Sequence, residues 1–139
     1  LTPKEFNEVK YVLSGVVSKR AEHVVMECKR VQDAVEALKA GDLVELGRLL
    51  NESHYSLRDL YEVTGRELDT LSALARKETG CLGSRMIGAG FGGCTISIVK
   101  KSAVEGFIRR VGKAYFDAIG YRASFYETSI EDGITVQKL

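Results

Sequence analysis

The sequence predicts an α+β domain in which helices pack on one face of a mostly antiparallel sheet. Three observations carry this. Apolar residues recur at three- and four-residue steps up to Gly80 and lose that period from Cys81 onward. The second half reads strand–loop–strand, then one helix, then two more strands, so the alternation of a helix with every strand that a doubly wound fold requires is missing. A chain of 139 residues, 45% of them hydrophobic, suffices for one core and not for two full-sized domains.

Thr2-Pro3-Lys4-Glu5 opens the first helix, predicted over residues 3–14. The threonine oxygen and the glutamate carboxylate satisfy amides that the first turn leaves orphaned, and proline has none to lose. Phe6, Val9 and Leu13 form its inward face. A longer helix is predicted over 16–39, with Ala21, Val24, Val25, Cys28, Val31, Val35 and Leu38 as its stripe and Gly41 as its stop. Asp42 starts a third, with Leu43, Leu46, Leu49 and Leu50 inward. Thr64-Gly65-Arg66-Glu67 repeats the capping pattern before a fourth, whose stripe is Leu68, Leu71, Leu74 and Ala75 and whose stop is Gly80. Residues 84–87 and the β-branched run 94–99 read as two strands with glycines between them. Ser102-Ala103-Val104-Glu105 is another capping box, starting a helix whose face is Val104, Phe107, Ile108, Val111, Tyr115 and Ala118. Residues 122–128 alternate like a strand, and Asp132-Gly133 turns into a last one over 134–136. One proline, no repeats and no low-complexity tract leave no linker, so residues 1–139 are a single unit.

Charge excludes several function classes. Lys and Arg total 20 against 19 Asp and Glu, a net charge of +1, which gives no support for nucleic-acid binding or an acidic tail. No apolar run approaches the roughly 20 residues a membrane span needs, and the amphipathic N-terminal segment does not read as a signal peptide. The chain begins with Leu1 rather than Met, and reads as a processed product or a piece of something longer. Cys28, Cys81 and Cys94 form no CxxC, and His23 and His54 stand at no metal-ligand spacing to them. No metal site and no disulfide are expected. The thiols read as small reduced core residues of a cytoplasmic protein.

Gly88-x-Gly90-x-x-Gly93 matches the dinucleotide-binding spacing, but such a loop must open a helix whose N-terminus meets the pyrophosphate. Here it leads into Cys94-Thr95-Ile96-Ser97-Ile98-Val99, a strand sequence, and no Gly-Lys-Ser/Thr follows the glycines. Both nucleotide-loop readings fail. Four glycines within six residues still exceed what a plain strand connection requires. Glycine permits positive φ and close approach, so Gly88, Ala89, Gly90, Phe91, Gly92 and Gly93 are the candidate ligand-facing loop. Arg85 just before it is a candidate electrostatic contact, with an ordinary ion pair as the alternative.

The longer string Gly83-Ser84-Arg85-Met86-Ile87-Gly88-Ala89-Gly90-Phe91-Gly92-Gly93-Cys94 closely resembles the third motif of the GHMP kinases, in its galactokinase form. Arg20-Ala21-Glu22-His23-Val24-Val25-Met26-Glu27 is similar to the long helix of that family's C-terminal domain. Residues 53–63, from Ser53-His54-Tyr55-Ser56-Leu57-Arg58-Asp59 onward, are similar to a further segment of it. Ile87 departs from the usual threonine, Leu60 from a common acidic residue, and Thr64-Gly65 from a Ser/Cys-type pair.

The resemblance implies a ferredoxin-like four-stranded sheet with additional N-terminal helices. It also implies an enzyme that transfers the ATP γ-phosphoryl to the C1 hydroxyl of galactose, with ATP and Mg²⁺ bound mainly by an N-terminal domain that this sequence lacks. The phosphate loop and catalytic aspartate of that domain do not occur here, so no catalytic residue is expected in the chain, which is expected to be inactive alone. Its expected partners are that domain, the sugar and ATP, in a full-length monomer. A non-catalytic sugar and ATP sensor, or a kinase with another acceptor sugar, are the alternatives. His23 and His54 are expected to pack or hydrogen-bond rather than act as bases. Arg58 and Asp59 pair locally or line the cleft.

Overall fold

The computed structural model of the protein describes residues 1–129. In chain order it contains α1 (Pro3–Val9), α2 (Gly15–Ala40), α3 (Leu43–Ser56), α4 (Arg66–Lys77), β1 (Cys81–Ile87), β2 (Cys94–Val99) and α5 (Val104–Ile119). The cap at Thr2 forms as expected: Thr2 Oγ1 accepts from Glu5 N–H at 3.2 Å, and the Glu5 carboxylate accepts from Thr2 N–H at 2.7 Å. The helix stops at Val9 rather than 14 and gives way to a tighter turn over Lys10–Val12. The β-branched and aromatic residues Val9, Tyr11 and Val12 lose rotamer freedom in a helix, which favours that early stop. Phe6 is the one fully buried residue of the expected face; Val9 is exposed.

Helix α2 ends as its glycine predicts, with Gly41 left-handed at φ 70°. Its burial is a correction. Val24, Cys28, Val31, Val35 and Leu38 are exposed, and the buried residues are His23 and Ala37. Periodicity finds an apolar stripe but not the neighbour that covers it. Two predicted caps also fail. Helix α4 starts from Gly65 at φ 94° with Thr64 buried beneath it, and α5 starts from Ala103 after a 3₁₀ turn over Lys101–Ala103. In each case the chain turns by another means, and no hydroxyl caps the helix. The stripes of α4 and α5 hold in part: Leu68 and Ala75, and Phe107, Val111 and Tyr115, are buried, Leu71, Leu74, Val104 and Ile108 are half-buried, and Ala118 is exposed.

Strands β1 and β2 pair antiparallel, with Ile87 opposite Cys94 and Ser84 opposite Ser97. Among the described residues the sheet therefore has two strands, not four. Residues 122–128 carry no strand pairing. Their alternation is real, since Phe125 joins Ile108 against the cluster of Ala75, Phe107 and Val111, but alternation without an adjacent strand gives extended chain and no ladder. The strand expected over 134–136 lies outside the described residues.

The outer edge of β1 would otherwise offer unpaired amides and carbonyls. Helices α3 and α4 cover it with side chains. Ser84 N–H donates to Asn51 Oδ1 at 2.9 Å, Met86 N–H to His54 Nδ1 at 3.1 Å, and the Ser84 carbonyl accepts from Ser72 Oγ at 2.9 Å. Two glycines permit this closeness. A Cβ on Gly47 would lie 2.5 Å from the Leu82 carbonyl carbon, and one on Gly83 would lie 2.6 Å from Gly47 Cα.

Candidate functional site

The connection from β1 to β2 is the glycine loop, and its backbone explains its composition. Gly88, Gly90 and Gly92 have φ of 76°, 88° and 98°, and Phe91 between them has φ 57°. A side chain at such angles is sterically penalised, so glycine is the residue that supplies them without cost. Phe91 is the exception; its ring is 78% exposed. The loop is tied down at one point, where Phe91 N–H donates to the Val63 carbonyl at 2.9 Å. Val63 in turn packs against Leu57, Leu68 and Met86, so the loop rests on that small core.

The glycines do different jobs. A Cβ on Gly90 would stand 3.0 Å from the Val63 carbonyl carbon and closer still to its oxygen, so the close approach at Gly90 is to the chain's own backbone. Around Gly88 and Gly92 a Cβ would meet nothing within 4 Å. Those two positions face open space and are where the loop can admit a ligand. Gly92 and Gly93 also border one end of a cleft of about 670 Å³ between α4, α5, β2 and residues 121–128. Its walls are mostly apolar, including Leu71, Ile96, Val99 and Phe107, which suits apolar groups and not a polyphosphate.

Arg85 does not reach into the loop. Its guanidinium lies 3.1 Å from Glu27 Oε1 on α2, and Ser53 Oγ donates to the same oxygen at 2.6 Å. Arg30 pairs with the other Glu27 oxygen. Of the two readings for Arg85, the structure has the ion pair. Sequence reasoning missed Glu27 as the hub of this network and Val63 as the loop's seat. An acidic residue inside the stripe of α2 was the one available signal for the former; nothing local marks the latter.

Both histidines are buried and hydrogen-bonded, the environment expected of packing residues. His23 is buried, with Nδ1 2.8 Å from Ser56 Oγ and its ring 4.7 Å from that of Tyr61. Burial holds its pKa below the ordinary histidine value. His54 is fully buried, with Nε2 3.1 Å from Asp69 Oδ1. Burial first, then the Arg76 charge, hold it low as well, against the opposing pull of Asp69. Arg58 and Asp59 pair with each other at 2.7 Å. The three cysteines are free, but Cys28 and Cys94 are exposed, which corrects their reading as core residues. Among the described residues no cluster of His, Cys, Asp or Glu could hold a metal, and no helix is long and apolar enough to cross a membrane.

An α+β unit whose glycine loop lies between antiparallel strands and rests on a helical layer defines a class. The GHMP kinases C terminal family matches residues 34–118, and the chain belongs to it. Among curated proteins it is 53% identical over 134 residues to the galactokinase of Clostridium beijerinckii, covering 96% of this chain and 34% of that protein. It is 58% identical over 117 residues to that of Clostridium perfringens, covering 84% and 30%. The crystal structure of Lactococcus lactis galactokinase complexed with galactose superposes with a TM-score of 0.89 at 48% identity, over 91% of this chain and 33% of that one. The chain thus spans about a third of the length of the relatives it matches.

Proposed function

We propose that this chain is the C-terminal part of a galactokinase, which transfers the γ-phosphoryl of ATP to the C1 hydroxyl of galactose to give galactose 1-phosphate in the cytoplasm. The observation that carries the reading is the loop: a run of left-handed backbone, seated on Val63, that leaves Gly88 and Gly92 facing open space. Phosphoryl transfer asks a protein chiefly to position the reactants and stabilise charge. In this reading Gly88, Ala89, Gly90, Phe91, Gly92 and Gly93 form one wall of the cleft, admitting substrate close to backbone whose amides contribute dipoles. Arg85 contributes indirectly, by tying β1 to Glu27 and so holding the strand that delivers the loop. ATP would meet this wall from the side of an N-terminal domain. Among the described residues no group of His, Cys, Asp or Glu could hold Mg²⁺, which in this reading would be held by the N-terminal domain.

The test compares the intact kinase polypeptide with its Gly92→Val variant, given Mg-ATP and galactose. At φ 98° valine is strained, yet its Cβ meets no neighbour, so the fold should stand while the wall is distorted. Strain of about 1–3 kcal/mol is enough to move a loop, and turnover should fall about tenfold or more with little change in unfolding temperature. Near-normal turnover would refute the wall. An intact polypeptide that binds galactose and ATP without forming product would make it a sensor, and preference for another sugar would change the acceptor. The 139-residue chain alone should yield no galactose 1-phosphate.

A further inference from the structure

We infer that His54, beside Asp69, is a positioning residue for the glycine loop: its Nδ1 anchors the last outer-edge amide of β1, and a proton on that nitrogen releases it. The inference rests on the reading of the loop as a cleft wall. Met86 is the last buried residue before the loop, since Ile87 is already 41% exposed. The Met86 amide donates to His54 Nδ1 at 3.1 Å, and an imidazole accepts there only when its proton is on Nε2. Asp69 Oδ1 stands 3.1 Å from Nε2 without aligned hydrogen-bond geometry, and its charge favours a proton on that nitrogen. The Met86 side chain packs with Leu57 and Leu68, against which Val63 also rests, and Val63 accepts from Phe91. The strand before the loop and the middle of the loop therefore rest on one small cluster, and His54 holds the backbone of that strand beside it.

The neighbouring bond shows what histidine adds. Two residues upstream, Asn51 does the same task for the Ser84 amide. A carboxamide oxygen accepts at any ordinary pH; an imidazole does not. Asp69 and Arg76 face His54 from α4, and Arg58 and Asp59 from the turn over Leu57–Tyr61. At neutral pH burial and the two arginines keep the ring uncharged and its acceptor intact. On acidification the new N–H opposes the Met86 N–H, and β1 loses its last outer-edge anchor, two residues before Gly88.

The experiment uses the intact kinase polypeptide with His54→Ala, His54→Asn and Asp69→Asn, read by amide exchange at Met86 and residues 88–93 and by the pH dependence of kcat and KM. His54→Asn places an uncharged acceptor where Nδ1 stood. It should keep near-wild-type KM at neutral pH and lose or shift the acid limb of kcat/KM. His54→Ala should speed exchange at Met86 and the loop about fivefold or more, the worth of one lost hydrogen bond, and should change KM. Asp69→Asn should move the acid limb. A His54→Ala protein that melts lower but keeps loop exchange and kinetics unchanged would overturn the inference, as would an unaltered acid limb in His54→Asn. If His54→Ala does not fold, the other two variants decide. Full activity of Gly92→Val would sink the cleft-wall reading alone, and the exchange data would still judge the anchor.

Discussion

Replacing Gly90 by alanine separates two reasons for glycine that are easily confused. The residue sits at φ 88°, where a Cβ costs about 1–2 kcal/mol. That Cβ would also stand 3.0 Å from the Val63 carbonyl carbon and nearer its oxygen, so the loop must lift away from Val63 and give up the Phe91 N–H bond. One such bond is worth about 0.5–1.5 kcal/mol. The sum, about 1.5–3.5 kcal/mol, shifts the balance between seated and released loop by about 10- to 300-fold. Gly88→Ala supplies the comparison, because φ there is 76° and a Cβ meets nothing within 4 Å. It carries the first cost and not the second. Amide exchange at Phe91 in the intact polypeptide reads the difference, and Gly90→Ala should exchange about fivefold faster than Gly88→Ala, the loop yielding well before the core. Equal protection in the two variants would refute the claim that Gly90 exists for Val63. With the expected faster exchange in Gly90→Ala, a kinase defect in Gly90→Val comes from an unseated loop and not from a filled substrate space.

Two further outcomes follow from packing and protonation. Gly47→Val should destabilise the fold by about 3 kcal/mol or more, because its Cβ would press on the Leu82 backbone and push α3 off the β1 edge; a loss below about 1 kcal/mol in urea unfolding would contradict that contact. Stability should also fall as the pH drops through about 6.5, the ordinary histidine value. His23 and His54 both titrate lower when folded, so in that window the unfolded chain binds protons the native one refuses, and each histidine contributes at most about 1.4 kcal/mol per pH unit. A melting temperature flat from about pH 7.5 to 5.5 would contradict it.

What the sequence by itself determined is what local chemistry can enforce. The Thr2–Glu5 cap, the stop at Gly41, the bounds of β2 and the buried centres of the α4 and α5 stripes each depend on residues within a few positions of one another, and these stand in the structure. The family was legible for the same reason, since the glycine string is contiguous. What only the tertiary structure decided involves partners distant in the chain. Arg85 meets Glu27 across 58 residues, and Met86 meets His54 across 32. Gly90 needs to be glycine because of Val63, which no spacing rule connects to it. The exposed stripe of α2 and the unused caps at Thr64 and Ser102 belong here too. A periodic pattern states that a surface is apolar and a capping box that a helix can start. Which surface is covered, and which turn the chain takes, depends on partners distant in the chain, as where α3 docks on β1 through two glycines 36 residues apart whose backbones can touch.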